Sequence, residues 1–280
     1  MRDGALPNLI IIGAMKCATT SLHYYLGLHP QVGMSRRKEL NFFVEERNWQ
    51  LGEAWYRSWF SSRDVVRGEA SPAYTAHPQF SGVPERMHRL IPDSKLIYVV
   101  RDPIARLLSQ YAHRVAAGRE TRSLAEVLDD PANPYLSRSR YWAQLERYLR
   151  LYPADHILVL QLEALRADRF GTMQRVFRFA GVDPAFRAAR FRWERHRSMR
   201  KRRKTVLGQR LSRTWAMRLL DRMPMERRWL IEQVLYYPFS RPLAPVVLDG
   251  ALRERVAEKL QPDIMRLREW TGERFGEWSI

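Results

Sequence analysis

The sequence has one cysteine, Cys17, among 280 residues. An internal disulfide is therefore excluded, and so little cysteine suits a reducing compartment, so we expect a cytoplasmic location. Long apolar runs are also missing. Residues 9–14 form the longest run near the start, but a membrane span needs roughly 20 residues and a signal-peptide core is also longer. No carboxylate or His/Cys cluster is evident either, so we expect no metal.

Positive charge is abundant but unevenly spread. The formal net charge is +18, and residues 187–228 hold 16 Lys and Arg against three acids. Such a surface attracts nucleotide phosphates, acidic acceptors, nucleic acid or acidic lipid. With 45% hydrophobic residues the chain folds as a globule. We expect one domain, residues 1–280, in which residues 183–225 form a basic loop or a mobile helix pair.

Apolar runs and helical patterns alternate along the chain. This alternation predicts an α/β fold with a central, mostly parallel sheet covered by helices. The predicted strands are residues 9–12, 95–100 and 156–160, with a weaker candidate at 65–68. The predicted helices run from Thr20 to near Pro30 and over residues 103–117, 139–151, 226–236 and 251–270, with helical patterns through Ala180.

Small residues and a lysine, GAMKCATTS, follow the first strand and open a helix. Backbone N–H groups crowd together in such a turn, and the helix N terminus adds positive potential, so the segment predicts an anion cradle. The spacing is not that of a Walker loop, because Lys16 precedes Ala18 rather than following a second glycine. This weakens the interpretation as a nucleotide kinase. An ordinary turn with a surface lysine is the alternative.

Arg101 ends the strand at residues 95–100, and Pro103 opens the next helix. Ligands bind at the carboxyl ends of parallel strands, and a guanidinium suits a phosphate. Ser109 lies on that helix, close enough to donate to the same group. The alternative is a local ion pair of Arg101 with Asp102 that caps the helix.

In the order and spacing of its motifs, the chain resembles the sulfotransferases that use 3′-phosphoadenosine 5′-phosphosulfate. The similarity is greatest to the branch that contains the heparan sulfate sulfotransferases and many bacterial relatives. The matching segments are residues 10–22, 29–32, 38–43 (KELNFF), 68–74 (GEASPAY) and 99–111, with weaker matches at 141–145, 160–165, 179–182 and 260–278. The resemblance implies a P-loop-like three-layer fold, a sheet flanked by helices.

The resemblance also implies residue roles. The 5′-phosphosulfate of the donor would be held by the loop of Lys16, Cys17, Ala18, Thr19, Thr20 and Ser21. The 3′-phosphate would be held by Arg101 and Ser109. In similar enzymes a basic loop that corresponds to the run at residues 200–204 contacts the same phosphate, so Arg200 and Lys201 are candidates.

Glu39 of the KELNFF segment is the candidate catalytic base, as in similar glycan sulfotransferases. We expect burial against Phe42 and Phe43 to raise its pKa toward neutrality. Lys16 would stabilise charge on the bridging oxygen. An exposed Lys–Glu pair before two buried aromatics is the alternative. Histidine is the base in related enzymes that act on small alcohols, which leaves four competitors: His23, His29, His77 and His113.

Acceptor contacts are the least determined part of the site. The candidates are Lys38, Tyr74, His113 and Tyr141. Two departures from the family pattern matter. Ala18 replaces the usual glycine, which predicts a φ below zero there. Ala70 replaces a lysine of the heparan sulfate enzymes, which argues against a heparan-like acceptor.

The sequence thus predicts in-line sulfuryl transfer to a hydroxyl or amine of a carbohydrate-containing or small-molecule acceptor, with a weak preference for an acidic one. A P-loop-type nucleotide kinase and a basic nucleic-acid-binding protein are the alternatives. Binding of nucleic acid is not expected. The sequence does not indicate an oligomeric state.

Overall fold

The computed structural model describes residues 4–192, 202–204, 240–242 and 246–280. Its centre is a parallel sheet of five strands in the order β2-β3-β1-β4-β5. Leu9 at the start of the central strand lies opposite Gly68 on one side and Lys95 on the other. The strands are β1 (Leu9–Gly13), β2 (Val32–Met34), β3 (Val66–Ala70), β4 (Lys95–Val100) and β5 (Ile157–Gln161).

Helices cover the sheet and join its strands. They are α1 (Thr19–Leu26), α2 (Gly52–Arg57), α3 (Val83–Leu90), α4 (Pro103–Ala116), α5 (Leu124–Asp129), α6 (Pro134–Ser137), α7 (Tyr141–Leu149), α8 (Leu162–Ala167), α9 (Arg169–Ala180) and α10 (Gly250–Thr271). Short 3-10 helices occur at Trp49–Leu51, Pro72–Thr75, Ala154–His156 and Ala189–Arg192. Two further strands, β6 (Arg202–Lys204) and β7 (Ser240–Pro242), pair antiparallel.

The hydrophobic core follows from the apolar strands. Every residue of β1 is buried, as expected for a central parallel strand with helices on both faces. A second cluster of buried residues lies between α4 and α10, where Leu107 and Leu260 are fully buried. The long C-terminal helix therefore packs on the same body as the sheet. Within the described ranges, no helix is both long and apolar enough to span a membrane.

The predicted P-loop-like three-layer fold is confirmed. β4 has the predicted bounds, and α4 begins at Pro103, where the Asp102 side chain accepts a hydrogen bond from the Ala105 N–H at 2.6 Å. The first predicted helix was expected to run to near Pro30, but α1 ends at Leu26. The short elements β2, α2 and α3 were missed, since few residues carry their pattern. The predicted helix at 226–236 and most of the basic segment lie outside the described residues.

Candidate active site

The loop after β1 folds back on itself beneath the N terminus of α1. The Ala14 N–H donates to the Val99 carbonyl at 2.7 Å, and the Cys17 N–H donates to the Ala14 carbonyl at 3.1 Å. No described side chain caps the first backbone N–H groups of α1, of which that of Ser21 donates to the Ala18 carbonyl at 2.9 Å. Because these N–H groups carry the positive end of the helix dipole, the loop is suited to an anion.

The expectation for Ala18 was wrong. Its φ is +59° and its ψ is 25°, in the left-handed region, and Lys16 also has a positive φ of 73°. The turn into α1 requires the conformation that glycine adopts freely, and alanine adopts it at a cost of about 1–2 kcal/mol. The backbone of the cradle is therefore kept despite the substitution.

Lys16 lies among charged neighbours. Burial is the main cause that lowers its pKa, the Glu39 carboxylate raises it, and Lys38 and Arg101 lower it further. The tertiary structure thus brings together three sequence segments that lie far apart in the chain. They meet at the carboxyl edge of the sheet, where β1 and β4 end side by side.

Arg101 extends from the end of β4 to the loop. Its Nη1 donates to the Lys16 carbonyl at 3.4 Å, and its Nε is buried without a hydrogen-bond partner among the described residues. The alternative ion pair with Asp102 does not form the helix cap, because the Asp102 carboxylate instead accepts from backbone N–H groups of Ala105 and Ser279. A buried guanidinium N–H without an acceptor fits a phosphate oxygen. Ser109 lies in the second turn of α4, and its role stays a prediction.

Glu39 stands on a strained turn at the edge of the loop. Its φ is 62°, and its N–H donates to the Ala70 carbonyl at 3.0 Å, which fixes it to the end of β3. The Lys38 Nζ lies 2.9 Å from Glu39 Oε1; the Lys38 side chain is 6% exposed and that of Glu39 is 53% exposed. Positive φ in a residue other than glycine is uncommon and clusters at functional sites.

The expected rise in the pKa of Glu39 was wrong. Burial raises the pKa, but the charge and hydrogen bond of Lys38, with further contributions from Arg47 and Lys16, lower it below the ordinary value of 4.5. Phe42 and Phe43 are buried in the core, whereas the Glu39 side chain is 53% exposed. The predicted Lys–Glu pair exists, and it leaves Glu39 ionised and open to a ligand.

A buried carboxylate that sequence reasoning missed supports this turn. Glu69 in β3 is fully buried and accepts hydrogen bonds from the hydroxyls of Tyr56, Ser71 and Tyr74 at 2.6–2.7 Å. The Ser71 Oγ in turn accepts from the Asn41 N–H at 3.0 Å. An acid inside an otherwise apolar strand was the available signal.

The side chains of three candidate residues, Tyr74, Tyr141 and Cys17, are buried. Tyr74 and Tyr141 are 2% and 0% exposed, so they are corrected from acceptor contacts to core residues. The Tyr141 hydroxyl donates to the Arg101 carbonyl at 2.9 Å. The Cys17 side chain is fully buried, burial raises its pKa to about 11, and its N–H is used inside the loop. The thiol of Cys17 therefore lies in the core, and the contact of this loop residue with the donor stays a prediction.

The histidines do not displace Glu39. His29 is buried between the Gln31 N–H and the Asp183 carbonyl, which agrees with a role in the turn before β2. Burial, with the charge of Lys38, lowers the pKa of His23 to about 4. His77 contacts Arg147, and His113 is exposed on α4; its contact with an acceptor stays a prediction. In the described part of the chain, no group of three His, Cys, Asp or Glu could hold a metal ion.

Arg200 and Lys201 lie outside the described residues. Their contact with the donor therefore stays a prediction. The remaining candidates in the loop, Thr19, Thr20 and Ser21, form the first turn of α1. Thr19 and Ser21 are buried and Thr20 is partly exposed, so this turn faces the cradle and the core together.

Comparison with known proteins relates this chain to sulfotransferases. The sulfotransferase domain family model matches residues 6–211. The human heparan sulfate glucosamine 3-O-sulfotransferase 5 is 31% identical over 193 residues, which are 64% of this chain and 54% of that protein. The Drosophila melanogaster bifunctional heparan sulfate N-deacetylase/N-sulfotransferase is 25% identical over 209 residues, 64% of this chain and 20% of that protein.

The chain thus spans about half the length of the 3-O-sulfotransferase and a fifth of the bifunctional protein. Among solved structures, a sulfotransferase from Alicyclobacillus acidocaldarius aligns over 99% of this chain and 100% of its own, with a TM-score of 0.70 and 24% identity. That likeness is one of fold.

Proposed function

Because this chain belongs to the sulfotransferase domain family, we propose that it transfers a sulfuryl group from 3′-phosphoadenosine 5′-phosphosulfate to a hydroxyl or amine of an acceptor. The nucleotide-kinase and nucleic-acid-binding alternatives are not favoured by that membership. The donor would enter at the carboxyl edge of the sheet, in the loop between β1 and α1.

One observation carries the proposal. A lysine in an uncapped helix-entry loop, an arginine with a free buried N–H and an exposed ionised glutamate meet at one edge of the sheet. The donor has phosphate groups at two ends, and Lys16 and Arg101 offer two cationic sites for them. The exposed carboxylate of Glu39, a charged neighbour of Lys16, would face the acceptor hydroxyl.

Each side chain has a separable task. Glu39, ionised at neutral pH, would take the proton of the attacking hydroxyl. Lys16 and the N–H groups of the first turn of α1 would stabilise negative charge on the phosphate oxygen that leaves sulfur. The bound donor supplies the activated sulfur–oxygen bond, which breaks as the acceptor oxygen bonds to sulfur. Lys38 would hold the Glu39 carboxylate in place.

A carbohydrate acceptor is the first choice. Two similar curated proteins are named for heparan sulfate and its glucosamine units, and we extend a carbohydrate acceptor, not heparan itself, to this chain. Ala70, whose carbonyl accepts from the Glu39 N–H, stands where the resemblance places a lysine in the heparan sulfate enzymes. A small-molecule acceptor is the alternative. The cytoplasmic location expected from the single cysteine stays a prediction.

Thermal unfolding with two matched nucleotides tests the proposal. Adenosine 3′,5′-bisphosphate, the donor product, should stabilise the protein by about 2.7 kcal/mol at 100 times its Kd. Adenosine 5′-phosphate, which lacks the 3′-phosphate, should bind about 10- to 100-fold more weakly, as expected for a lost charged hydrogen bond. Transfer of labelled sulfate to a panel of acceptors then follows.

The variant Arg101→Met should remove the difference between the two nucleotides. Arg140→Met, which removes an exposed arginine before α7, serves as the matched control and should keep it. A wild-type protein that binds neither nucleotide would contradict the proposed function. Equal binding of both would leave the loop as an anion site and remove Arg101 from it.

A further inference from the structure

The buried guanidinium of Arg138, between α6 and α7, lies beside the donor loop. Arg138 is 9% exposed, and its Nη1 lies 3.0 Å from the Met15 Sδ while its Nη2 donates to the Gln79 Oε1. Its Nε is buried without a partner in the described residues. A thioether sulfur is a weak acceptor, so neither the Nε–H of Arg138 nor the Nη1–H that faces Met15 has a strong one.

Among the described residues, no carboxylate compensates the charge of Arg138. Burial is the largest cause that lowers its pKa, and with the charges of Arg106, Arg47 and Arg114 it brings that pKa to about 10. Arg106 is bound by three neutral acceptors, in Ser139, Gln110 and Tyr135, each at 2.7 Å. A buried cation among other cations is unfavourable unless an anion joins it.

The backbone that carries Arg138 is rigid. Ser139, the next residue, accepts from Arg106 Nε and donates to the Pro103 carbonyl at 3.1 Å. Gln144 joins the Ser137 carbonyl to both backbone groups of His77, which fixes the loop that carries Gln79. Side chains held in this way are preorganised for a ligand and lose little entropy when they bind it.

Arg47 is a charged neighbour of both Glu39 and Arg138. It stacks on the Phe80 ring, with 4.8 Å between its Cζ and the ring centroid. The phosphates of the donor already have Lys16 and Arg101, and Arg101 meets the loop at the Lys16 carbonyl rather than at Met15. An anion at Arg138 is therefore close to the base, where the acceptor would lie.

From this arrangement we propose that Arg138, with Arg47, binds an anionic group of the acceptor, a carboxylate or a sulfate, while Glu39 faces the hydroxyl to be sulfated. The proposal rests on the proposed function and names the substrate class that it would accept. The cluster would supply the cation that Ala70 does not provide.

Calorimetric titration of the protein saturated with adenosine 3′,5′-bisphosphate tests this assignment. The probes are 4-nitrophenyl β-D-glucuronide and 4-nitrophenyl β-D-glucoside, which differ in a carboxylate at one carbon. The wild-type protein should bind the glucuronide about tenfold or more tightly than the glucoside, the effect of one charged hydrogen-bonded contact. In Arg138→Gln the two affinities should become nearly equal.

Three results distinguish the outcomes. Arg140→Gln, two residues away and exposed, should keep the preference of the wild type. If Arg138→Gln instead lowers the affinity for adenosine 3′,5′-bisphosphate, Arg138 contacts the donor and the proposal is overturned. It is also overturned if the wild type binds both glycosides equally or binds neither. Failure of the wild type to bind the nucleotide at all would be a failure of the proposed function itself.

Discussion

At the scale of single residues, the Lys38–Glu39 pair defines the chemistry of the candidate base. The lysine is almost fully buried and the glutamate is half exposed, with 2.9 Å between Nζ and Oε1. The ion pair keeps the carboxylate charged and oriented, but a lower pKa also makes it a weaker base. The strained φ of Glu39 is the local cost of presenting the carboxylate at the loop.

The pH dependence of transfer should report this pairing. A base acts when ionised, and the pKa of Glu39 lies below 4.5 because the charge and hydrogen bond of Lys38, with the charges of Arg47 and Lys16, together outweigh the effect of burial. Activity should therefore be retained as pH falls and be lost only below 4.5. Lys38→Met should move this acid limb of kcat/KM to higher pH, since the charge that lowers the pKa is gone.

The neighbouring exposed Arg36 offers a control. Arg36→Met should leave the acid limb where it is in the wild type. An acid limb near pH 6 to 7 in the wild-type protein would point to histidine as the base, with an ordinary pKa of about 6.5. A limb that Lys38→Met does not move would remove Lys38 from the site.

At the scale of elements, the Glu69 carboxylate joins three of them. It lies in β3 and receives hydroxyl hydrogen bonds from Tyr56 of α2 and from Tyr74 of the 3-10 helix that follows β3. Burial raises its pKa, and these hydrogen bonds oppose the rise. Through Ser71 and Asn41 the same network reaches the turn that carries Glu39.

Substitution of Glu69 by glutamine should therefore act on both stability and turnover. The amide cannot accept all three hydroxyl hydrogen bonds, so the free energy of unfolding should fall by about 1–3 kcal/mol. Because the turn of Glu39 loosens, kcat should fall while nucleotide affinity stays unchanged, as measured by urea unfolding, transfer kinetics and calorimetry. Glu53→Gln, at an exposed ion pair, should change neither by a comparable amount. A normal kcat in a destabilised Glu69→Gln would limit Glu69 to stability.

Asp263 links two helices. It lies in α10. Its carboxylate accepts hydrogen bonds from the N–H groups of Trp142 and Ala143, in the first turn of α7, at 2.9 and 2.8 Å. A carboxylate there satisfies N–H groups that no intrahelical partner reaches. Burial still raises the pKa of Asp263 to about 6.

Stability should consequently depend on pH through Asp263. The folded state binds the proton more tightly than the unfolded chain, so the free energy of unfolding should fall, by up to about 3 kcal/mol, as pH rises from 3.8 to 6. Asp263→Asn should lack this slope in urea unfolding between pH 4 and 7. Glu258→Gln, exposed on the same helix, should retain it. The same slope in Asp263→Asn would assign the effect to other groups.

At the scale of the whole molecule, charge and fold have separate origins. The net charge of +18 and the basic segment concern encounters with anions, whereas the sheet and its two hydrophobic clusters determine where an anion is held. The family model covers residues 6–211, and the C-terminal helix packs against the described core beyond that limit. A single domain over the whole chain stays a prediction.

The sequence by itself determined the strands β1, β4 and β5, the loop at Lys16 and the family. Continuous apolar runs and small-residue turns are local signals, so β1, β4 and the opening of α4 could be predicted from neighbouring residues alone. The KELNFF segment could be recognised as a motif. The chemistry of this segment could not be predicted from the sequence, because the pKa of Glu39 depends on which side chains surround it.

Only the tertiary structure decided which residues share the site. Tyr74 and Tyr141 lie in recognisable motifs, yet the packing of β3 and α7 buries them. Arg138 carries no local signal, because its role depends on contacts with Met15, 123 residues earlier in the chain. The left-handed φ of Ala18 likewise follows from joining β1 to α1 above a fixed sheet. The local sequence pattern determines helices and strands, whereas burial and charge at a site come from contacts between segments that are distant in the chain.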